Sequence, residues 1–160
     1  EDGRAGVFGA SLTISSTVPA DGSVYDCTSY YGANIEEGLE ALQNSRVIIA
    51  HNQCKHDIPL IQKLYPGWEP PLVLDTLVLS ALLFPERAGG HSIEAWGRRM
   101  GKEQKVQHED WSEFSYDMLL RCESDTRLNK RVLLRLLKEC YEEIDGCPYI
   151  GFDFGEHAHD

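Results

Sequence analysis

Two aspartates occupy positions where a carboxylate could do chemistry. Asp57 follows the apolar run 47–50, and open α/β sheets bind ligands just beyond the carboxyl ends of such strands. Asp125 lies in an amphipathic segment on the same side as Leu128 and Val132, so a stripe expected to face the core carries a carboxylate. A buried lone carboxylate is costly unless a cation neutralises it. Such a pair on different elements is typical of divalent-metal sites that hydrolyse phosphodiesters.

Each aspartate also has a simpler interpretation. Asp57 precedes an apolar helical pattern and could serve only as the N-cap of that helix. Asp125 could form an ion pair with an arginine. The spacing of the two residues does not decide between these interpretations and a metal site.

The elements around these residues alternate between strands and helices. Alternating β-rich segments at 6–16 and 23–31, with turn residues between them, predict a hairpin. The four consecutive apolar residues 47–50 predict a strand covered on both faces, as interior strands of α/β sheets are. Helical spacing of apolar residues predicts the other elements, and in the third of them a short apolar rise into Asp75 precedes that spacing. These segments are 34–45, 56–65, 70–84, 91–101 and 115–143.

Two helices carry further signals. Asn34 is placed to cap the helix of 34–45, and Ser92 and Gly101 are placed to begin and end the helix of 91–101. The segment 115–143 predicts a long amphipathic helix, and its basic residues predict a solvated face, or a surface that guides single-stranded DNA or docks a neighbouring domain. Those basic residues are Arg127, Lys130, Arg131, Arg135 and Lys138.

The composition favours one globular domain in a reducing compartment. A chain of 160 residues that is 42% hydrophobic can form a single core. Fifteen Lys and Arg against 26 Asp and Glu give a net charge of −11, which argues against non-specific nucleic-acid binding unless bound metal ions invert the field locally. The five cysteines show no paired pattern. No stretch approaches the roughly 18 apolar residues of a membrane helix, so we expect a cytoplasmic protein with no membrane partner.

Four blocks of sequence, in this order and at these separations, resemble a known family. They are HNQCKHDIPLIQKL, LDTLVLSALLF, HSIEAWGRRMG and RCESDTRLN, within residues 47 to about 138. Together they are similar to the 3′→5′ proofreading exonuclease domain of bacteriophage family A DNA polymerases, which is DnaQ-like and has the ribonuclease H fold. The resemblance implies an α/β architecture in which a mixed sheet is flanked by helices on both faces.

The resemblance also implies roles for individual residues. Asp57 resembles the second and Asp125 the fourth carboxylate of the family's DEDD set, which holds two Mg²⁺ or Mn²⁺ ions. Asn52 and His56 match positions that contact the 3′-terminal nucleotide. The implied partners are the 3′ end of single-stranded DNA and a DNA polymerase domain or subunit.

Other matched residues carry structural expectations or depart from the family pattern. Asp75 and Thr76 belong to a block that we expect to be structural, and Trp96 is expected to pack in the core. The family has a Tyr or His four or five residues before its last aspartate, where it orients or deprotonates the attacking water. This chain has Arg121 and Leu120 there, and neither is a general base at neutral pH.

The family's first motif, an Asp-x-Glu pair on the central strand of the sheet, has no counterpart before GVFGASLTI. One expectation is that a segment upstream carries it, with Glu1 or Asp2 as its remainder. Another is that residues 148–154 fill the central position, with Asp153 and Glu156 as the acids. Their spacing does not place both side chains on one face of a strand, since alternate residues share a face.

We therefore expect residues 1–147 to form an exonuclease-like domain whose first, central strand is missing from the chain start. Residues 148–160 are expected to be a C-terminal tail or linker, or alternatively a strand of the sheet. The expected function is metal-dependent 3′→5′ hydrolysis of single-stranded DNA beside a phage-type DNA polymerase, in the host cytoplasm if the protein is viral. The alternative is a catalytically inactive domain of the same fold with a structural or interaction role. A third possibility, an unrelated α/β binding protein, would make the four blocks a coincidence.

Overall fold

The computed structural model describes residues 14–17, 23, 26–101 and 115–142. These form an α/β arrangement, as the sequence predicts, and it contains four short strands and five α-helices. The elements in chain order are β1 (Ile14–Thr17), β2 (Thr28–Tyr31), α1 (Ile35–Gln43), β3 (Val47–Ala50), α2 (Asp57–Leu64), β4 (Leu72–Asp75), α3 (Thr76–Leu83), α4 (Ile93–Arg99) and α5 (Tyr116–Glu142).

The four described strands form two separate two-stranded sheets. β1 and β2 pair antiparallel, which confirms the predicted hairpin in its described part. β3 and β4 pair parallel, with Ala50 opposite Asp75. A single mixed sheet is not formed within the described ranges, because none of their strands pairs with both the hairpin and the parallel pair.

Burial of β3 is lower than its apolar sequence predicts. Ile48 is buried, whereas Val47, Ile49 and Ala50 are only half-buried. In a sheet of two strands each strand is an edge, so the neighbouring strand covers only one side of it.

Two of the three apolar clusters among the described residues hold these elements together. The larger one packs α3 and α4 against α5, and Trp96 at its centre is only 1% exposed, which confirms the predicted core role. Its other buried members are Leu79, Leu128, Val132 and Leu136. The second cluster packs Leu39 of α1 and Ile48 of β3 around Trp68. The indole Nε1 of Trp68 donates to the carbonyl of Leu39 at 3.0 Å, so this ring is also fixed by a hydrogen bond.

The ends of α4 follow the sequence signals. Ser92 Oγ accepts a hydrogen bond from the backbone nitrogen of Ala95 at 3.1 Å. Gly101 has a φ of 65° just beyond the helix, a left-handed conformation that favours glycine. Asn34 is the N-cap of α1 but makes no side-chain capping bond. No described helix is both long and apolar enough to cross a bilayer.

Candidate functional site

The carboxyl ends of β3 and β4 lie side by side, since Ala50 pairs with Asp75. The chain leaves β3 through residues 51–56 and enters α2 at Asp57. The predicted site residues Asn52, His56 and Asp57 therefore share one segment at this edge of the sheet. We call the ends of β3 and β4, together with residues 51–57, the carboxyl edge.

Asp75 fixes that segment to the end of β4. The residue is 6% exposed, and its Oδ1 accepts hydrogen bonds from the backbone nitrogens of Asn52 at 2.8 Å and Leu77 at 3.0 Å. Its Oδ2 accepts from the backbone nitrogen of Cys54 at 3.1 Å. One carboxylate thus caps α3 and holds the loop that precedes Asp57, which confirms the structural role predicted for Asp75.

The side chain of Gln53 connects the same loop to β3 and β4. This side chain is buried, and Nε2 donates to the carbonyl of Ile48 at 3.2 Å and to that of Leu74 at 2.8 Å. No motif in the sequence marks this residue. A lone amide in a polar loop gives no periodic signal, so its burial could not be read from spacing.

Asn52 adopts a left-handed backbone conformation with a φ of 63°, which no other non-glycine residue in the described ranges shares. Asparagine tolerates this region better than most residues. The carbonyl of Asn52 accepts hydrogen bonds from the backbone nitrogens of Lys55 at 3.3 Å and His56 at 3.2 Å. These hydrogen bonds close a tight turn over residues 52–56, after which the chain enters α2.

Asp57 lies in the first turn of α2, and the N-cap position belongs to His56. The interpretation of Asp57 as the capping residue is therefore wrong. Asp57 is exposed as a whole, yet removal of water by the surrounding protein raises the pKa of its carboxyl. Its own backbone amide and His56 oppose this effect, while the negative charge of Asp75 adds to it. A cation would favour the ionised form of this carboxylate.

Asp125 on α5 is less buried than the sequence predicts. Its side chain is 42% exposed, and Oδ2 lies 3.8 Å from Nε of Arg121, whose side chain is 15% exposed. The prediction that Asp125 lies on a buried stripe is wrong, because residues 121–127 are all half-buried. The first buried residue after Leu119 on this helix is Leu128. The alternative of an arginine partner is confirmed, with a separation near the upper limit for an ion pair.

Asn129 connects α5 to the carboxyl edge. Its Nδ2 donates to the carbonyl of Ile49 at 3.3 Å, and its Oδ1 accepts from Thr76 Oγ1 at 2.6 Å. Thr76 is fully buried, which confirms its structural role. Residues four apart share a helix face, so Asp125 lies about 6 Å along the axis from a residue that contacts this edge.

His51 completes the polar contacts beneath the loop. Its Nδ1 lies 2.9 Å from Thr76 Oγ1. The single hydroxyl proton of Thr76 is donated to Asn129, so Nδ1 of His51 must carry the proton in this contact. Burial lowers the pKa of His51, which favours the neutral form of the ring.

The basic series on α5 is not a uniformly solvated face. Lys130 is only 9% exposed. Arg127 donates to Glu123 Oε2 at 3.1 Å, and Arg135 donates through Nε to Glu139 Oε1 at 3.1 Å. Two of the five basic residues thus pair with acids on the same helix.

The described residues do not complete a metal site by themselves. Within residues 14–17, 23, 26–101 and 115–142, no three His, Cys, Asp or Glu side chains are grouped so that they could hold an ion. Both oxygens of Asp75 already accept backbone hydrogen bonds. The acids proposed from the sequence at both chain ends, Glu1, Asp2, Asp153 and Glu156, lie outside the described residues, as does the possible strand 148–154.

No protein family, curated protein or solved structure matched this chain.

Proposed function

We propose that this chain is a 3′→5′ exonuclease domain of the ribonuclease H-like type, which uses Mg²⁺ or Mn²⁺ to hydrolyse the terminal phosphodiester of single-stranded DNA. One observation carries the proposal. The segment with Asn52, His56 and Asp57 is fixed at the carboxyl edge by Asp75, and Asn129, one helical turn from Asp125, contacts the same edge.

The division of the strands supports the proposed fold. A ribonuclease H-like sheet without its central strand would leave an antiparallel hairpin and a parallel pair, and the described strands form these two sheets. The helix that carries Asp125 packs against α3 through the Trp96 cluster. The helix that carries Asp57 contacts the Trp68 cluster through Ile58 and Ile61. Both proposed acids therefore lie on helices that pack against an apolar cluster.

The proposed roles follow the chemistry of the side chains. Asp57 and Asp125 are the cation ligands, and Asn52 and His56 bind the 3′-terminal nucleotide. Bound cations would supply Lewis-acid activation of water and charge stabilisation, and they would offset the repulsion between DNA and a chain of net charge −11. The remaining two acids of a four-carboxylate set are proposed to be Asp153 and Glu156, or an Asp-x-Glu pair on a segment upstream of Glu1.

The experiment is a nuclease assay on single-stranded DNA labelled at its 5′ end, with the purified chain and either Mn²⁺ or Mg²⁺. We expect a ladder of products shortened from the 3′ end, and no shortening in EDTA. Asp57→Asn and Asp125→Asn should each reduce the rate by about 100-fold or more, since even outer-sphere changes at metal sites cost 10- to 100-fold.

Asp117→Asn is the matched control, because Asp117 is an exposed aspartate in the first turn of the same helix as Asp125. It should cleave at the wild-type rate. Cleavage that survives Asp57→Asn, or that falls equally in Asp117→Asn, would contradict the proposal.

A second candidate, a catalytically inactive domain of the same fold, is favoured by one contact. Arg121 occupies one of the two positions where the resemblance implies a Tyr or His, and its Nε lies 3.8 Å from Oδ2 of Asp125. A guanidinium cannot remove a proton from water at neutral pH. If wild-type protein leaves the labelled DNA unshortened in both cations while a circular dichroism spectrum shows it to be folded, the inactive domain is the better account.

A further inference from the structure

A cavity of about 1010 Å³ lies away from the carboxyl edge, between the end of α3, α4 and the second half of α5. Its lining joins apolar and aromatic side chains, such as Phe84 and Trp96, to three arginines and two glutamates. The charged residues are Glu86, Arg87, Arg99, Arg135 and Glu139. None of them belongs to the proposed nuclease site.

One arginine of the cavity is held in a rigid position. Nη1 and Nη2 of Arg87 donate to the two carboxylate oxygens of Glu139 at 3.1 and 2.7 Å. The two side chains are 9% and 5% exposed. The guanidinium carbon of Arg87 lies 4.6 Å from the ring centre of Trp96 and 4.8 Å from that of Phe84. A buried bidentate pair stacked on aromatic rings has little freedom to move.

Two buried donors of this cavity lack an acceptor among the described residues. They are Nε of Arg87 and Nε1 of Trp96. A buried donor without an acceptor destabilises a fold, so native proteins rarely keep one without a reason. Both residues line the cavity, and a ligand oxygen that contacts either donor would supply the missing acceptor.

Arg99 adds a third donor group. Its guanidinium carbon lies 4.5 Å from the ring centre of Trp96, and Nη2 donates to the carbonyls of Ala88 at 2.6 Å and Gly90 at 2.8 Å. These contacts orient the guanidinium and leave its Nε and Nη1 for a ligand. Burial and the neighbouring charge of Arg87 lower the pKa of Arg99, so a bound anion would relieve a repulsion between two cations.

We propose that this cavity binds a small organic oxyanion, a phosphate or carboxylate attached to a flat apolar body. Arg99 and the two donors without acceptors bind the oxyanion, and Leu83, Phe84 and Met100 contact the apolar body. The volume exceeds that of an inorganic ion and matches ordinary small-molecule sites. This proposal does not depend on the exonuclease function.

The test is isothermal titration calorimetry of the full chain with adenosine 5′-monophosphate and with 1-naphthoate. Adenosine and 1-naphthalenemethanol serve as their neutral counterparts, and inorganic phosphate serves as the bare anion. At least one organic anion should bind, about tenfold or more tightly than its neutral counterpart and than phosphate, because charged hydrogen bonds add to apolar burial. The anion that binds shows whether the cavity prefers a phosphate or a carboxylate group.

Variants test the assigned donors. Arg99→Gln should weaken binding about tenfold, and Trp96→Phe, which keeps the ring but removes Nε1, should weaken it several-fold. Arg98→Gln is the matched control, because Arg98 is exposed and pairs with Glu94 instead of lining the cavity. Thermal melts confirm that each variant is folded, and either cavity variant alone suffices if the other does not fold. No binding by either anion, equal binding by a neutral counterpart, or equal weakening by Arg98→Gln would overturn the proposal.

Discussion

The Asp75 carboxylate accepts the backbone N–H of Asn52 at 2.8 Å, across a sequence separation of 23 residues. The same carboxylate also accepts from Cys54 and Leu77. It therefore joins the end of β4, the start of α3 and the loop after β3. The position of the proposed substrate-binding residues depends on this buried group.

The first prediction concerns Asp75 itself. Asp75→Ala leaves three backbone donors without their acceptor and should lower the free energy of unfolding by about 3 kcal/mol. Urea denaturation measures this loss. Asp26→Ala is the control, because Asp26 accepts one exposed backbone N–H, from Ser23, and its loss should cost about 1 kcal/mol or less. Equal losses in the two variants would show that Asp75 does not hold the loop.

The second prediction separates the backbone of Asn52 from its side chain. Glycine accepts a φ of 63° without strain, whereas alanine does not. Asn52→Ala should therefore be less stable than Asn52→Gly by about 1 kcal/mol in urea denaturation. Both variants lack the amide, so both should bind single-stranded DNA more weakly than wild type. Wild-type DNA affinity in Asn52→Gly would remove Asn52 from the proposed site.

The third prediction tests how α1 packs on the hairpin. A Cβ added to Gly38 would lie 2.7 Å from Cγ of Tyr30. Gly38→Ala should destabilise the protein by about 1–3 kcal/mol through overpacking, although alanine is the better helix former. At Gly67 an added Cβ meets no heavy atom within 4 Å, so Gly67→Ala should change stability by only about 0.5 kcal/mol. A larger loss of thermal stability in Gly67→Ala than in Gly38→Ala would contradict the close packing of Gly38 against Tyr30.

The fourth prediction is a dependence of stability on pH. Burial pushes the pKa of Glu139 upward, but hydrogen bonds and charges from Arg87 and Arg135 outweigh it and hold the pKa below its ordinary value of 4.5. An acid with a lowered native pKa stabilises the fold above its ordinary pKa, and this contribution is lost as the pH falls through the native pKa. Wild-type stability should therefore fall with acidification below pH 4.5.

Glu139→Gln tests that dependence. The variant should lose about 3 kcal/mol at pH 7, because Arg87 then lacks its buried counter-charge. Its stability should also fall less steeply than that of wild type below pH 4.5. Glu94→Gln removes an exposed pair with Arg98 and should follow the wild-type curve. Parallel curves for wild type and Glu139→Gln would assign the acid sensitivity to other groups.

Local periodicity predicted the order of the elements well. The apolar run 47–50, the helical spacing through 70–84 and the Ser92 cap all correspond to observed elements, because each signal depends on residues a few positions apart. The structural roles expected for Asp75, Thr76 and Trp96 are also confirmed.

Contacts between distant residues could not be predicted in this way. Arg87 and Glu139 are 52 residues apart, and nothing in the spacing near either residue indicates that they meet. The exposure of Asp125 was also missed, since helical periodicity identifies a face but not where along its length the core begins. Asn129 could have been noticed, because an amide beside Leu128 interrupts the buried stripe and a buried amide needs partners.

The central claim is that Asp57 and Asp125 bind the same cation, and Mn²⁺ titration followed by electron paramagnetic resonance tests it most directly. Free Mn²⁺ gives a sharp six-line signal that weakens on binding, so the affinity of each variant can be measured without DNA. We predict that Asp57→Asn and Asp125→Asn each weaken Mn²⁺ binding about tenfold or more, while Asp117→Asn leaves it unchanged. Mn²⁺ affinity that is the same in wild type, Asp57→Asn and Asp125→Asn would contradict the account.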